Sequence, residues 1–182
     1  MRYFGDPMLD LKLASDADIP KIKALMTRAI LELQVGYLDP DQVMASQVGM
    51  GLDTQLITDG TYFCVWDNDI LAGCGGWSRR ATLYGGNHSA GRDARLLDPK
   101  TDRARIRAMY TSPDYTKRGI GRMVLSAGEQ AAQSEGFKSL EMAATMAGLP
   151  FYEKCGYRVE SRWEDKNGAV PVPLATMVKA FV

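Results

Sequence analysis

The sequence predicts an α+β fold, a mixed and mostly antiparallel sheet flanked by helices. Two observations carry that reading. Arg105–Tyr110 has the composition of a strand, Gly119–Glu135 that of an amphipathic helix and Ser139–Ala144 that of a second strand, and strand-helix-strand implies one parallel crossover. On either side of this unit lies an antiparallel hairpin signature: Thr61–Trp66 and Ile70–Trp77 around Asp67-Asn68-Asp69, then Tyr157–Trp163 and Val170–Phe181 around Asn167-Gly168.

In chain order, Leu11–Ala14 is a short first strand. Ser15 or Asp16 then caps a helix whose apolar residues Ile19, Ile22, Leu25, Met26, Ala29, Ile30 and Leu33 recur at helical spacing, with Pro20 in its first turn. A second short helix starts at Pro40, where the missing N–H is harmless and Asp41 suits the positive end of the helix dipole. The hairpin 61–77 is rich in β-branched and aromatic residues, but Gly73, Gly75 and Gly76 mark a bulge or a place where something approaches the backbone. Residues 79–102 lose all periodicity, and a connection longer than about 12–15 residues is functional or mobile. Gly136 closes the long helix, and Pro150–Cys155 is a short helix ended by Gly156. With no repeat or linker, and a length suited to one hydrophobic core, residues 1–182 read as a single domain.

Composition excludes several function classes. Lys plus Arg equals Asp plus Glu at 22 each, so no global positive field draws the chain to nucleic acid or anionic lipid. Met1–Asp10 lacks an apolar leader, and no run approaches the roughly 20 apolar residues that span a bilayer, which makes the cytoplasm the expected location and a membrane partner unexpected. Cys64, Cys74 and Cys155 are odd in number without C-x-x-C spacing, and His88 is the only histidine. Neither a disulfide framework nor a metal centre is expected.

The segment with chemistry in it is Arg107–Arg122. A strand turns into a helix start bearing Gly119 and Gly121, where free backbone N–H groups and the helix dipole converge and no side chain blocks a phosphate. Lys117, Arg118 and Arg122 add positive charge. The string is not a Walker loop, and Val124 stands where a dinucleotide fingerprint needs a third glycine.

Tyr110-Thr-Ser-Pro-Asp-Tyr-Thr-Lys-Arg-Gly-Ile-Gly-Arg122, followed by helix, strand and Pro150-Phe-Tyr-Glu-Lys-Cys-Gly-Tyr157, resembles the GCN5-related N-acetyltransferase (GNAT) family in order and spacing. The resemblance implies the acyl-CoA N-acyltransferase fold, acetyl-CoA as acyl-donor substrate, and an amine-bearing acceptor. It implies that Met109, Tyr110 and Thr111 border the pantetheine arm through their backbone, and that Lys117, Arg118, Gly119, Ile120, Gly121 and Arg122 wrap the pyrophosphate. Tyr152 matches the tyrosine that, in many members, meets the departing thiolate. Two positions depart from the family pattern: Thr116 replaces a Gln or Arg, and Thr145 replaces an asparagine, supplying a hydroxyl as the cofactor contact.

The implied reaction is direct attack of an amine on the thioester, without metal. A lysine-like amine of pKa about 10.4 is almost wholly protonated at neutral pH, so a base or a desolvating pocket is required. Glu141, on the strand after the long helix, faces either the thioester or solvent; His88 is a second candidate base, while Asp114 beside Pro113 reads as a turn residue. Arg79 or Arg80 is a candidate for an acceptor carboxylate, and Trp77 lines the same groove or packs under the sheet. The alternative reading of Tyr152 is a core residue, and Cys155 reads as packing rather than an acylated nucleophile. The alternative functions are a non-catalytic acyl-CoA-binding or interaction module and an enzyme for a longer acyl-CoA. A strand edge, or an apolar face near Tyr37 and Leu38, is open to a homodimer.

Overall fold

The computed structural model describes residues 9–181, so most of the segment Met1–Asp10 lies outside the described residues. In order, the elements are β1 (Leu9–Leu13), α1 (Ile19–Leu33), α2 (Pro40–Gly49), α3 (Gln55–Thr58), β2 (Tyr62–Asp67), β3 (Ile70–Ser78), β4 (Ala104–Thr111), α4 (Ile120–Ser134), β5 (Ser139–Thr145), α5 (Leu149–Lys154), β6 (Arg158–Asp165) and β7 (Val172–Ala180). They build one seven-stranded sheet in the order β1-β2-β3-β4-β5-β7-β6. Only β4 and β5 run parallel, as the strand-helix-strand unit requires.

Local chemistry explains most boundaries. Asp39 and Gln42 form a reciprocal capping box at α2: the Gln42 N–H donates to the Asp39 carboxylate at 2.8 Å and the Asp39 N–H to the Gln42 side chain at 3.1 Å. The turn after β2 passes through Asn68 at φ 52°, a conformation asparagine tolerates. The faces of the sheet carry separate cores. Ile22, Leu25 and Met26 of α1 pack with Leu56 and Tyr62 on one face. On the other, α4 covers a cluster containing Trp77, Ile106, Leu140 and Met142.

Some expectations need correction. Trp77 belongs to the core, its ring edge-on to Phe137 at 6.0 Å. Residues 166–171 join β6 to β7, and neither Asn167 nor Gly168 has the positive φ of a tight Asn-Gly turn. Asn167 instead donates twice to the Asp165 carboxylate, and a Cβ on Gly168 would press on Ala45 of α2 at 2.8 Å. Leu38 is buried against α2 and Val172, so only Tyr37 of that pair offers an apolar surface. The helix α3 was not legible, being one turn long.

The connection 79–102 doubles back on itself. The Leu97 N–H donates to Arg79 O at 2.8 Å and the Ala81 N–H to Arg95 O at 2.9 Å. Its arginines anchor it, Arg79 to Glu135 and Arg80 to Asp59.

Candidate functional site

The site begins as a fault in the sheet. β4 pairs with β5 at only two positions, Ala104 with Leu140 and Arg105 with Glu141. Past these the strands part: β4 stays on β3 as far as Thr111, and β5 stays on β7 as far as Thr145. The pairing of β3 with β4 slips between Cys74 and Gly76, opposite Ala108, whose φ of 50° marks a bulge. The buried Tyr62 hydroxyl donates to Ala108 O at 2.7 Å and satisfies the carbonyl that the bulge leaves over.

Parting the strands turns backbone groups toward the gap. The Ser112 N–H donates to Ala72 O at 2.9 Å, so by strand alternation Tyr110 and Ser112 bond toward β3 while Met109 and Thr111 present theirs to β5. An extended ligand entering there meets an unpaired strand edge. The glycines of β3 admit α4 alongside: a Cβ on Gly73 would collide with Ile120, and one on Gly75 would lie 2.6 Å from the Met109 sulfur. Bulge and close approach, alternatives in the sequence, are both present.

At one end of the gap lies the start of α4. The chain reaches it through a 3₁₀ turn, Pro113–Tyr115, tied to α1 by Asp114 and Arg28 at 2.8 Å and to β2 by the Tyr115 hydroxyl on Asp67 at 2.7 Å. Lys117 at φ 61° and Gly119 at φ 80° then turn the backbone, with Gly119 as N-cap. Among the described residues the amides of 117–122 have no hydrogen-bond acceptor, and α4 has no side-chain cap. That concentrates donors and dipole on one spot. Arg118 stacks over Tyr115 at 4.6 Å, while Lys117 and Arg122 line the gap.

The gap widens into a cavity of about 920 Å³ that passes through the sheet. One side is walled by α4 and by α5 with Tyr152; the other by Ala29, Ile30 and Leu33 of α1, by Gly51, and by Tyr84 and Gly85 of the folded-back connection. Met109, Tyr110, Thr111, Gly119, Ile120, Gly121 and Thr145 all border it. Gly121 fits beneath Phe151, whose ring a Cβ would meet at 3.1 Å.

Tyr152 is seated between Phe151 and Tyr157, with ring centroids at 5.1 and 6.0 Å. Gly148 makes room for it, since a Cβ there would lie 2.9 Å from the Tyr152 ring. The Tyr152 hydroxyl has no hydrogen-bond partner among the described residues, and burial pushes its pKa well above that of an ordinary phenol. Thr145 Oγ1 accepts the Gly148 N–H at 3.2 Å, which holds the entry to α5.

Other candidates fall away from the cavity. Glu141 does not border it: its carboxylate is engaged by Arg105 and lies 3.8 Å from Arg103, so a base role fails on position and on charge. His88 lies outside, its Nε2 2.6 Å from Val48 O. Arg79 and Arg80 are spent on Glu135 and Asp59. Cys155 is partly buried against the core and its thiol pKa is raised by burial; Cys74, on the cavity wall, is pushed up to about 12, so neither is a ready thiolate. Arg107, the first residue of the segment 107–122, had no role assigned from the sequence, where nothing signals that its side chain is internal.

Sequence comparison supplies the family. The model of the acetyltransferase (GNAT) family matches residues 28–157, from within α1 to just beyond Tyr152. The chain belongs to the GNAT acetyltransferase family. The match contains nearly every wall of the cavity, and the fold is the GNAT acyl-CoA N-acyltransferase fold. Among solved structures, a GCN5-related N-acetyltransferase from Rhodopseudomonas palustris, described as an aminotransferase, class-II, is 18% identical with a TM-score of 0.70, over 100% of this chain and 99% of that one. PaiA N-acetyltransferase from Thermoplasma acidophilum, in complex with coenzyme A, is 13% identical with a TM-score of 0.65, over 95% and 99%. YncA from Salmonella typhimurium, with its cofactor acetyl-CoA, is 16% identical with a TM-score of 0.62, over 94% and 93%. At such identities the likeness is one of fold. No curated protein matches the sequence. No helix among the described residues is long and apolar enough to cross a membrane.

Proposed function

We propose that this GNAT protein transfers an acetyl group from acetyl-CoA to a primary amine of a small molecule or peptide, by direct attack in a ternary complex. One observation carries the reading: a single cavity joins a phosphate-sized cluster of unpaired amides at α4, an open strand edge at Met109 and Thr111, and the partnerless hydroxyl of a tyrosine that is otherwise buried. The residues fit the donor. Amides 117–122 with Lys117 and Arg122 suit the pyrophosphate, and the Met109–Thr111 edge suits the amides of the pantetheine arm.

In this reading the acceptor enters from the side of α1 and the 79–102 connection, so that its nitrogen meets the thioester carbon inside the sheet. The C–N bond forms, the C–S bond breaks, the sulfur leaves toward Tyr152, and the proton that the nitrogen sheds on becoming an amide ends on the departing sulfur as CoA thiol. A thiol of pKa about 8.5 gives a thiolate that cannot strip a phenol whose pKa burial has raised above about 10, so Tyr152 donates a hydrogen bond and keeps its proton. The charged residues on the wall, among those described, are Arg107, Lys117, Arg122 and Lys154. These cations disfavour an ammonium and favour the neutral amine that must attack.

The test is acetyl-CoA-dependent release of CoA thiol across amino acids, polyamines, aminoglycosides and peptide N-termini, with propionyl- and butyryl-CoA as alternative donors. Release that requires an amine supports acetyl transfer. Binding of acetyl-CoA without release in any mixture would favour a binding module.

A further inference from the structure

The chemistry above uses Arg107, the cation on the acceptor side of the cavity, only as a background charge. Arg107 projects from β4 beneath the 79–102 connection: Nη1 donates to Thr82 O at 3.0 Å, and Nη2 to Gly85 O at 2.7 Å and to the Asp53 carboxylate at 3.2 Å. Arg107 is only 3% exposed and Asp53 only 2%, yet Arg107 borders the cavity. Its Nε–H has no partner among the described residues.

Asp53 cannot neutralise this group alone, because Arg92 Nη2 also donates to it at 2.7 Å. Two guanidinium groups share one carboxylate, Arg107 buried and Arg92 exposed to solvent, so the cluster carries one net positive charge. The part of the Asp53 charge that Arg92 draws is lost to the buried Arg107, and two carbonyl oxygens offset that only in part. Around it the wall is mostly apolar, from Ala29, Ile30 and Leu33 of α1 to Met50 and Cys74, with Gln34, Tyr37 and Tyr84 as its polar members.

We infer that the acceptor is an amine that also bears a carboxylate on an apolar body, and that Arg107 receives the carboxylate. This rests on the acetyl-transfer reading and narrows it to one class of amine. A carboxylate oxygen can accept the free Nε–H, completes the charge balance of the cluster, and leaves the amine free to point through the sheet toward the donor. The arginine that serves the acceptor is thus a strand residue and not one of the loop pair Arg79 and Arg80.

The experiment compares matched acceptors with acetyl-CoA: leucine with leucinamide and 3-methylbutylamine, and phenylalanine with phenylalaninamide and phenethylamine. The carboxylates should exceed their uncharged partners in kcat/KM by about ten- to a hundredfold, the scale of a charged hydrogen bond. Arg107→Lys should collapse that ratio toward one, whereas a purely structural role would lower both partners alike. Arg92→Gln removes the surplus charge from outside the cavity wall and should lower the ratio several-fold, a result that does not depend on the Arg107 variant folding. Equal or faster transfer to the amides and simple amines by the unmodified protein would overturn the inference and leave acetyl transfer standing. Failure of every acceptor despite bound acetyl-CoA would overturn both.

Discussion

Tyr152 and Tyr62 do different work with the same hydroxyl. Tyr152 borders the cavity, and in the proposed reaction, where it donates to the leaving sulfur, Tyr152→Phe should lower kcat by about ten- to a hundredfold, below the 10² to 10⁴ of a full general acid, with acetyl-CoA binding retained. Because burial raises its pKa, the group stays protonated well beyond neutrality. The acceptor amine, by contrast, gains its reactive neutral form as pH rises. With a simple amine of pKa about 10, log kcat/KM should climb with unit slope from pH 6 to 9 with no falling limb from Tyr152. A bell-shaped profile centred near neutrality would refute this account. Tyr62 acts on stability, since it satisfies the carbonyl of the Ala108 bulge. Tyr62→Phe removes that carbonyl's protein partner and should cost about 0.5–1.5 kcal/mol in urea unfolding. Tyr152 and the glycines of the cradle were legible because their spacing is local. Ala108 and Tyr62 were not, because neither residue differs in type from its strand neighbours and their bond spans 46 positions.

At the scale of elements, the site is the junction of β3, β4 and α4, and glycine sets their separation. Gly119 has open space around it and matters only for its backbone at φ 80°, so Gly119→Ala should cost about 1–2 kcal/mol and weaken acetyl-CoA binding by distorting the amide cluster. Gly73 is the opposite case. A side chain there would strike Ile120 of α4, and Gly73→Val should destabilise by about 1–3 kcal/mol through overpacking. Chemical denaturation with titration of acetyl-CoA separates the two: the first variant loses affinity out of proportion to stability, the second loses both together. The sequence marked the three glycines of β3 as a weakness in a strand. It could not distinguish a bulge from a helix pressed on the backbone, because both ask for the absence of a Cβ.

Over the whole molecule, the parted sheet predicts strong coupling between donor binding and stability. A donor that bridges β4, α4 and β5 replaces the pairing these strands lack, so acetyl-CoA at about a hundred times its Kd should add about 2.7 kcal/mol, a Tm rise of roughly 5–10 °C for a chain of this size. Differential scanning calorimetry checks it, and a shift no larger than that given by free adenosine phosphates would argue against the pantetheine edge. By itself the sequence determined the fold class and the parallel crossover, and it located the helix start at Gly119 and the short helix that holds Tyr152, since each depends on periodicity or on residue types a few positions apart. Only the tertiary structure decided that β4 leaves β5 after two pairs, that Glu141 is paired with Arg105, and that Arg107 meets Asp53 at the cavity wall. Those outcomes depend on which strand face is covered and by what, and burial is a property of the assembled layers that no run of residues encodes by itself.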